Sequence, residues 1–259
     1  MKIWEKEIPY FIEDADTPNE MVPFLLETDK PLPCVVVLPG GGYYGRARHE
    51  AEPIAKFFNS RGFHAVLVEY RVAPNRFPAA LADVQRAVKT VRYHADEWKI
   101  DANRVVTCGF SAGGHLAASS ILYAESFLGE READEIDAMP HLPNGAILGY
   151  PVIFVDGEFE NRFTGSNLLG ERYEEEKAKY SLAQYVTDQT PPVFMWHTSD
   201  DPVVNIKHSL VFGEALRDHG IPFEMHVFPH GPHGIALADQ YPDAIHWRDL
   251  AADWIERNI

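Results

Sequence analysis

The 259-residue sequence predicts an α/β fold in which a mostly parallel central sheet carries helices on both faces. Three observations predict this fold: short apolar runs rich in β-branched residues, amphipathic segments that alternate with those runs, and a different, extended N-terminal part. With 46% hydrophobic residues, a chain of this length can bury one large core. We therefore expect a single domain over residues 1–259.

The predicted strands are short, and predicted helices separate them. Each strand candidate is an apolar run of the kind that is covered on both faces of a sheet. Between the runs, apolar residues recur at steps of three or four, most clearly from Leu81 to Trp98, which is typical of helices. The predicted strands are 34–38, 64–70, 104–108, 145–148, 193–196 and 223–228, and the predicted helices are 50–60, 81–98, 115–125, 205–219 and 242–257.

Two segments depart from this alternation. The stretches 2–12 and 21–27 look extended and are separated by turn-forming residues 14–19, so we expect an antiparallel strand pair at the sheet edge. Residues from about 156 to about 189 are polar, charged and irregular. A long insertion in a compact domain is usually functional, and we interpret 156–189 as a small insertion that could serve as a minimal lid.

The charge balance restricts the partners. Lys and Arg total 23 against 39 for Asp and Glu, which gives a formal charge of -16 at pH 7. This charge would repel nucleic acid and anionic membranes, so we expect a small neutral or cationic molecule as the partner. The start of the sequence is acidic where a signal peptide is apolar, and no later apolar run approaches membrane-spanning length. The sequence therefore predicts a soluble, cytoplasmic protein.

Neither the cysteines nor the histidines predict a metal site. Cys34 and Cys108 lie in predicted strands without CxxC spacing, so we expect two free, buried thiols. His226, His230 and His233 have the spacing of metal ligands on one face of a helix, but prolines and glycines break this segment into a loop.

A glycine-rich segment, GGGYYG at 40–45, offers one possible function. It fits the pattern GxGxxG, follows a predicted strand and precedes a helix, and the next strand carries an acidic residue, Glu69. This is the outline of a dinucleotide site, where backbone N–H groups bind the pyrophosphate. However, Arg46, Arg48 and Pro53 suit the start of that helix poorly, and Glu69 comes later than the pattern requires.

A second motif, GFSAG at 109–113, favours nucleophilic catalysis by Ser111. It lies between the strand 104–108 and the helix that follows. A nucleophile on such a sharp turn needs small residues two positions away on either side, and Gly109 and Gly113 meet this need. The start of the helix also brings the N–H of Ala112 to where negative charge develops on an attacked carbonyl oxygen.

The glycine-rich loop then has a second interpretation, as the partner of this motif. If the two N-terminal strands are counted, the loop follows the third strand, where a second oxyanion donor is expected. The N–H groups of Gly41 and Gly42 are the candidates, because without side chains they can approach the oxyanion closely. Tyr43 and Tyr44 come next, and they either line the substrate pocket or pack in the core.

A serine nucleophile needs a general base that is oriented by a carboxylate. The loop after strand 193–196 contains Asp200 and Asp201, and the loop after strand 223–228 contains His230 and His233. The order Ser, Asp, His along the chain is the order expected for this arrangement.

These motifs together resemble a known family. The segments PGGGY (39–43), YRVAP (70–74), FPAALAD (77–83) and GFSAGGH (109–115) are similar to esterases of the hormone-sensitive-lipase group, and most of all to bacterial acetyl esterases, including the acetylxylan-esterase-like branch. The resemblance spans most of the chain and implies the α/β-hydrolase fold. Many relatives carry His where this sequence has Pro39, which supplies no oxyanion N–H, so we expect little chemical consequence.

The resemblance also implies which late residues act. In similar enzymes the acid precedes two residues and a valine, as Asp201 does here, and His233 matches the family position of the base. We therefore predict a serine carboxylesterase for short acyl, especially acetyl, esters, with sugars as candidate alcohols and with no cofactor. The alternatives are a peptidase or amidase with the same triad, and a non-catalytic binding protein on this scaffold.

Overall fold

A computed structural model describes residues 1–13, 15 and 18–259 of the chain. A seven-stranded sheet with the order β1-β3-β2-β4-β5-β6-β7 forms its centre. The strands are β1 (Glu20–Phe24), β2 (Leu32–Leu38), β3 (His64–Glu69), β4 (Ile100–Phe110), β5 (Gly145–Gly149), β6 (Val193–Thr198) and β7 (Phe223–Phe228). The helices are α1 (Glu52–Ser60), α2 (Ala79–Tyr93), α3 (Ala95–Trp98), α4 (Ala112–Leu122), α5 (Arg162–Leu169), α6 (Tyr173–Glu176), α7 (Lys207–Asp218) and α8 (Trp247–Asn258).

Strands β2 to β7 are parallel to one another, and both faces of the sheet are covered. Alternate residues of β2 belong to two separate apolar clusters, which explains why its sequence is continuously hydrophobic. Apolar residues of α2, α4 and α7 lie in one cluster, and those of α1 and α8 lie in the other. The predicted fold class, a mostly parallel sheet between two helical layers, is confirmed.

Most helices lie within three residues of their predicted bounds, and two differ more. The predicted helix 81–98 is divided at His94 into α2 and α3. The last helix begins at Trp247 rather than at residue 242, after a short 3-10 turn over Ala244–His246. The insertion 156–189 contains α5, α6 and several 3-10 turns, so it is more regular than its polar sequence indicates. None of the helices in the described part of the chain combines the length and the apolar character needed to cross a bilayer.

The antiparallel pair at the N-terminal edge is present, but its strands are β1 and β3. The stretch 2–12 contributes one isolated antiparallel bridge, from Lys2 to Glu20, and no strand. Side chains anchor this stretch instead, since Ile3 and Trp4 are buried in the core. Of the predicted turn 14–19, residues Asp14, Asp16 and Thr17 lie outside the described residues.

A buried ion pair joins the end of β3 to helix α2. The guanidinium of Arg71 donates to both carboxylate oxygens of Asp83, with an Nη2–Oδ1 distance of 2.8 Å and an Nε–Oδ2 distance of 2.9 Å. Asp83 also accepts from the backbone N–H of Arg71 and, at 2.7 Å, from the indole N–H of Trp4. This pair therefore links the N-terminal stretch, the end of strand β3 and helix α2 to one another.

We expect Asp83→Ala to lower the free energy of unfolding by about 3–5 kcal/mol, because it leaves the Arg71 guanidinium buried without its charged partner. Urea unfolding followed by circular dichroism measures this loss. Glu130→Ala, at an exposed position, is the control and should change the free energy by less than about 0.5 kcal/mol. Equal losses in the two variants would contradict a structural role for the pair.

Candidate active site

Ser111 occupies the sharp turn between β4 and α4. Its backbone is left-handed, with φ of 54° and ψ of -119°, a conformation that costs a non-glycine residue on the order of 1–3 kcal/mol. The surrounding backbone holds it there: the Ser111 N–H donates to the carbonyl of Gly149 at 3.0 Å, and its own carbonyl accepts from the N–H of Val152 at 3.0 Å. The Ser111 side chain reaches a surface cavity of about 350 Å³.

Two glycines allow this turn to pass close to its neighbours. A Cβ atom on Gly109 would lie 2.0 Å from the carbonyl oxygen of Gly113, and a Cβ atom on Gly113 would lie 2.2 Å from that of Leu38. Both contacts are with backbone, which cannot swing aside as a flexible side chain can. The GxSxG spacing is therefore a steric requirement of the turn.

Three side chains from three loops form a continuous hydrogen-bonded series. The Oγ atom of Ser111 lies 2.8 Å from Nε2 of His233, and Nδ1 of His233 lies 2.7 Å from Oδ2 of Asp201. Ser111 follows β4, Asp201 follows β6 and His233 follows β7. Parallel strands end at the same edge of a sheet, so residues that are far apart in sequence meet there.

The carboxylate of Asp201 is almost fully buried, at 1% exposure. Its Oδ1 atom accepts from the N–H groups of Val203 and Val204 at 2.8 and 3.0 Å, and Nε2 of His197 lies 3.5 Å from Oδ2. Burial alone raises the pKa of Asp201, but the hydrogen bonds from His197 and His233 outweigh this effect and hold the pKa well below its ordinary value. Asp201 is therefore ionised at neutral pH and orients His233.

The alternative acid and base form a separate, exposed pair. Nδ1 of His230 lies 2.9 Å from Oδ2 of Asp200, and both side chains face solvent. His226, the third histidine of the spacing considered for a metal, has Glu224 as its partner. The three histidines thus have three different carboxylate partners.

Three backbone N–H groups near Ser111 are candidates for binding an oxyanion. Gly41 and Gly42 have φ angles of 127° and 63°, which favour glycine. Within the described residues, no hydrogen bond uses the N–H of either glycine. Ala112 is the first residue of α4, so its N–H has no partner within the helix.

The cavity beside Ser111 has one wall built by the insertion. Asn161, Phe163 and Thr164 of the insertion line it together with Glu50 and His49. Asn161 accepts from the N–H of Thr164 and so caps α5. The insertion 156–189 therefore contributes directly to the cavity, while its action as a lid stays a prediction.

The two tyrosines after the glycine loop lie in different environments. Tyr43 is buried, and its hydroxyl lies 3.1 Å from Nδ1 of His115, whose Nε2 lies 3.0 Å from the carbonyl of Tyr180. Burial lowers the pKa of His115 to about 4, so this contact involves a neutral imidazole. Tyr43 thus packs in the core, whereas Tyr44 is 70% exposed and contacts the ring of Phe163.

Sequence reasoning missed Glu50 and Phe163, which both line the cavity. Glu50 lies in the polar run RARHE at 46–50, and Phe163 lies in the irregular insertion. No local pattern marks either residue, because each reaches the cavity only through the tertiary arrangement.

The sequence of this chain matches a protein family and several curated proteins. Residues 25–216 match the model of the BD-FAE family. Endo-1,4-beta-xylanase B of Butyrivibrio fibrisolvens is 36% identical over 245 residues, which covers 92% of this chain and 38% of that protein. The acetylxylan esterase of Xylanibacter ruminicola is 32% identical over 228 residues, which covers 86% of this chain and 45% of that protein. The chain thus spans less than half the length of these two curated relatives.

Solved structures match over nearly their full length. An acetyl ester-xyloside bifunctional hydrolase from Caldicellulosiruptor lactoaceticus has a TM-score of 0.90 and 39% identity, with 99% of this chain and 94% of that chain covered. The carboxylesterase Cest-2923 from Lactobacillus plantarum has a TM-score of 0.77 and 25% identity, with 91% of each chain covered.

Gly109→Ala tests the steric requirement of the turn, with Gly45→Ala as a matched control. The new methyl group at Gly109 meets backbone, while a Cβ atom on Gly45 would find nothing within 4 Å. We expect Gly109→Ala to lower the free energy of unfolding by about 1–3 kcal/mol, as overpacking does, and to slow labelling of Ser111 by a fluorophosphonate. Gly45→Ala should match the wild type in both measurements, and a normal labelling rate in Gly109→Ala would contradict the argument.

Proposed function

This chain belongs to the BD-FAE family and has the α/β-hydrolase fold, and from this premise we propose that it is a serine carboxylesterase that removes short acyl groups, above all acetyl, from sugar hydroxyls. The observation that carries the proposal is the hydrogen-bonded series Ser111–His233–Asp201 on a strained turn. The printed names of an acetylxylan esterase and an acetyl ester-xyloside hydrolase among its relatives support the acyl group and the alcohol.

In the acylation step, Oγ of Ser111 attacks the carbonyl carbon of the ester while Nε2 of His233 takes the serine proton. The ionised carboxylate of Asp201 stabilises the imidazolium that forms. The carbonyl oxygen becomes an oxyanion, for which the N–H groups of Gly41, Gly42 and Ala112 are the proposed donors. His233 then returns the proton to the leaving alcohol oxygen, the C–O bond breaks and an acyl-enzyme remains.

In the deacylation step, water takes the place of the alcohol. His233 removes a proton from the water, whose oxygen attacks the acyl carbon, and the same N–H groups stabilise the second oxyanion. Collapse of this intermediate breaks the bond to Ser111, which recovers its proton from His233. The products are a carboxylic acid and free enzyme, and the cycle balances without a cofactor.

The rim of the cavity supports a sugar as the alcohol. Phe163 is 61% exposed, and its ring lies 6.2 Å from that of Tyr44, so the two rings form an open aromatic surface beside the cavity. A pyranose presents C–H faces to such a surface and hydroxyl groups around its edge, where Asn161 and His49 supply polar partners. The acidic charge of the chain favours a neutral substrate over nucleic acid or an anionic membrane.

We expect Ser111→Ala to abolish hydrolysis of acetylated xylo-oligosaccharides and methyl acetate, with a loss in kcat of about 10⁶-fold. Acetate release measures this loss, and circular dichroism verifies the fold. Parallel assays with aminoacyl amides test the peptidase alternative, which faster amide hydrolysis by the wild type would favour. Ester hydrolysis at the wild-type rate in Ser111→Ala would reject the proposed mechanism.

We expect Phe163→Ala to raise KM for an acetylated xylo-oligosaccharide by about fivefold, the equivalent of losing about 1 kcal/mol of ring contact. Methyl acetate, whose alcohol has no ring, should be hydrolysed with unchanged kcat/KM. Phe11→Ala is the matched control, since Phe11 is 59% exposed and does not line the cavity. Equal effects of Phe163→Ala on both substrates would contradict a sugar contact.

A further inference from the structure

Glu50 is a buried carboxylate beside the catalytic residues that the proposed mechanism does not use. It ends the short 3-10 turn Arg48–Glu50, between the glycine loop and α1. Its exposure is 2%, yet it lines the same cavity as Ser111 and His233. Within the described residues no Lys or Arg pairs with it, and the only cationic candidate within 4 Å is Nε2 of His49, at 3.9 Å. A carboxylate is costly to bury in this way, so its contacts require an explanation.

The hydrogen bonds of Glu50 connect three loops at the catalytic edge of the sheet. Its Oε2 atom accepts from the N–H of Gly40 at 2.7 Å, and its Oε1 atom accepts from the hydroxyl of Tyr150 at 2.6 Å. The Tyr150 oxygen in turn accepts from the N–H of Ala236 at 2.9 Å. Gly40 precedes the oxyanion candidates, and Ala236 follows His233 by three residues, so the series joins the oxyanion loop to the loop of the base.

Glu50 is also close to the reacting groups themselves. A Cβ atom placed on Gly40 would lie 2.6 Å from Oε2 of Glu50 and 3.0 Å from Cβ of Ser111, so only the space beside Gly40 separates the two side chains. On the other side, the ring of Tyr150 packs edge-to-face on His233, with 5.0 Å between ring centroids. Glu50 is therefore next to the nucleophile and is connected to the base through Tyr150.

The donors around Glu50 require it to act as an acceptor. The backbone N–H groups of Gly40 and Ala236 can only donate, and the Tyr150 hydroxyl already accepts from Ala236, so its proton points to Glu50. The anionic carboxylate satisfies every one of these groups. Burial raises the pKa of Glu50 above its ordinary value, and the hydrogen bonds from Tyr150 and Gly40, which favour the anion, oppose this effect only in part.

We propose that Glu50 is a positioning residue of this active site: it fixes the oxyanion loop through Gly40 and the base loop through Tyr150. This inference rests on the proposed roles of Ser111, His233 and Asp201.

The titratable groups around Glu50 and His233 are few, and they come from several neighbouring elements. Those that act on Glu50 are His49 on the same turn, Tyr150 after β5 and His233 after β7, while Tyr70 after β3 and Cys108 in β4 are affected by its charge. His233 faces Asp201 and the ring of Tyr150. Glu50 therefore reaches His233 through Tyr150, whose hydroxyl it binds and whose ring packs on the imidazole.

Glu50→Gln tests the proposal, with Glu52→Gln as the matched control. Glu52 lies two residues away, is exposed and pairs with Lys56, so the control removes the same charge without touching the site. In Glu50→Gln we expect kcat for methyl acetate to fall by about tenfold or more, since misplaced catalytic groups are that costly, with KM nearly unchanged.

Tyr150→Phe tests the connection from Glu50 to the base loop. It removes the hydroxyl that joins Glu50 to Ala236 but keeps the carboxylate, so we expect kcat for methyl acetate to fall while KM stays close to that of the wild type. This variant also decides the question of positioning if Glu50→Gln does not fold, and an unchanged kcat in Tyr150→Phe would then overturn the inference. Thermal unfolding of each variant distinguishes lost activity from lost structure.

A Glu50→Gln variant whose kcat matches that of Glu52→Gln would overturn the role of Glu50 and leave the serine mechanism intact. In contrast, equally fast fluorophosphonate labelling of the wild type and Ser111→Ala would reject Ser111 as the nucleophile, whatever Glu50 does. The two hypotheses therefore fail on different measurements.

Discussion

The strained turn at Ser111 is the constraint on which the rest of the site depends. Its left-handed backbone is held by bonds to Gly149 and Val152, so strands β4 and β5 and the loop after β5 must keep their register for the turn to persist. Such strain is retained only where the surroundings determine the conformation. Here the surroundings are the centre of a parallel sheet that is packed on both faces.

The same sheet explains why the other functional groups lie close to Ser111. The loops after β2, β5, β6 and β7 all leave the sheet at one edge, and they carry the glycine run, Tyr150, Asp201 and His233. Contacts within a loop hold its functional group, as the N–H groups of Val203 and Val204 hold Asp201. The geometry of the site thus follows from strand order, and each loop needs to supply only one or two groups.

The separate roles of the sheet and of the loops explain how much could be predicted from the sequence. Buried parallel strands and sharp glycine-flanked turns have local patterns, so the fold class and the turn at Ser111 could be predicted from the sequence. The choice of Asp201 over Asp200 and of His233 over His230 came from the family resemblance. The segment 2–12 was predicted as a strand because its sequence looks extended, whereas buried side chains such as Trp4 anchor it instead. Glu50 and Phe163 were not accessible at all, since a buried carboxylate and an exposed ring acquire meaning only from neighbours distant in sequence.

The cavity wall at Asn161 and Phe163 has an evolutionary consequence. The atoms that make and break bonds belong to loops fixed by the sheet, whereas this wall belongs to an insertion that adds no strand to it. Exchange of the insertion can therefore change which molecules fit beside Ser111 without disturbing proton transfer. Related enzymes can therefore evolve different ester specificities through this one segment while the catalytic residues and their reaction stay the same.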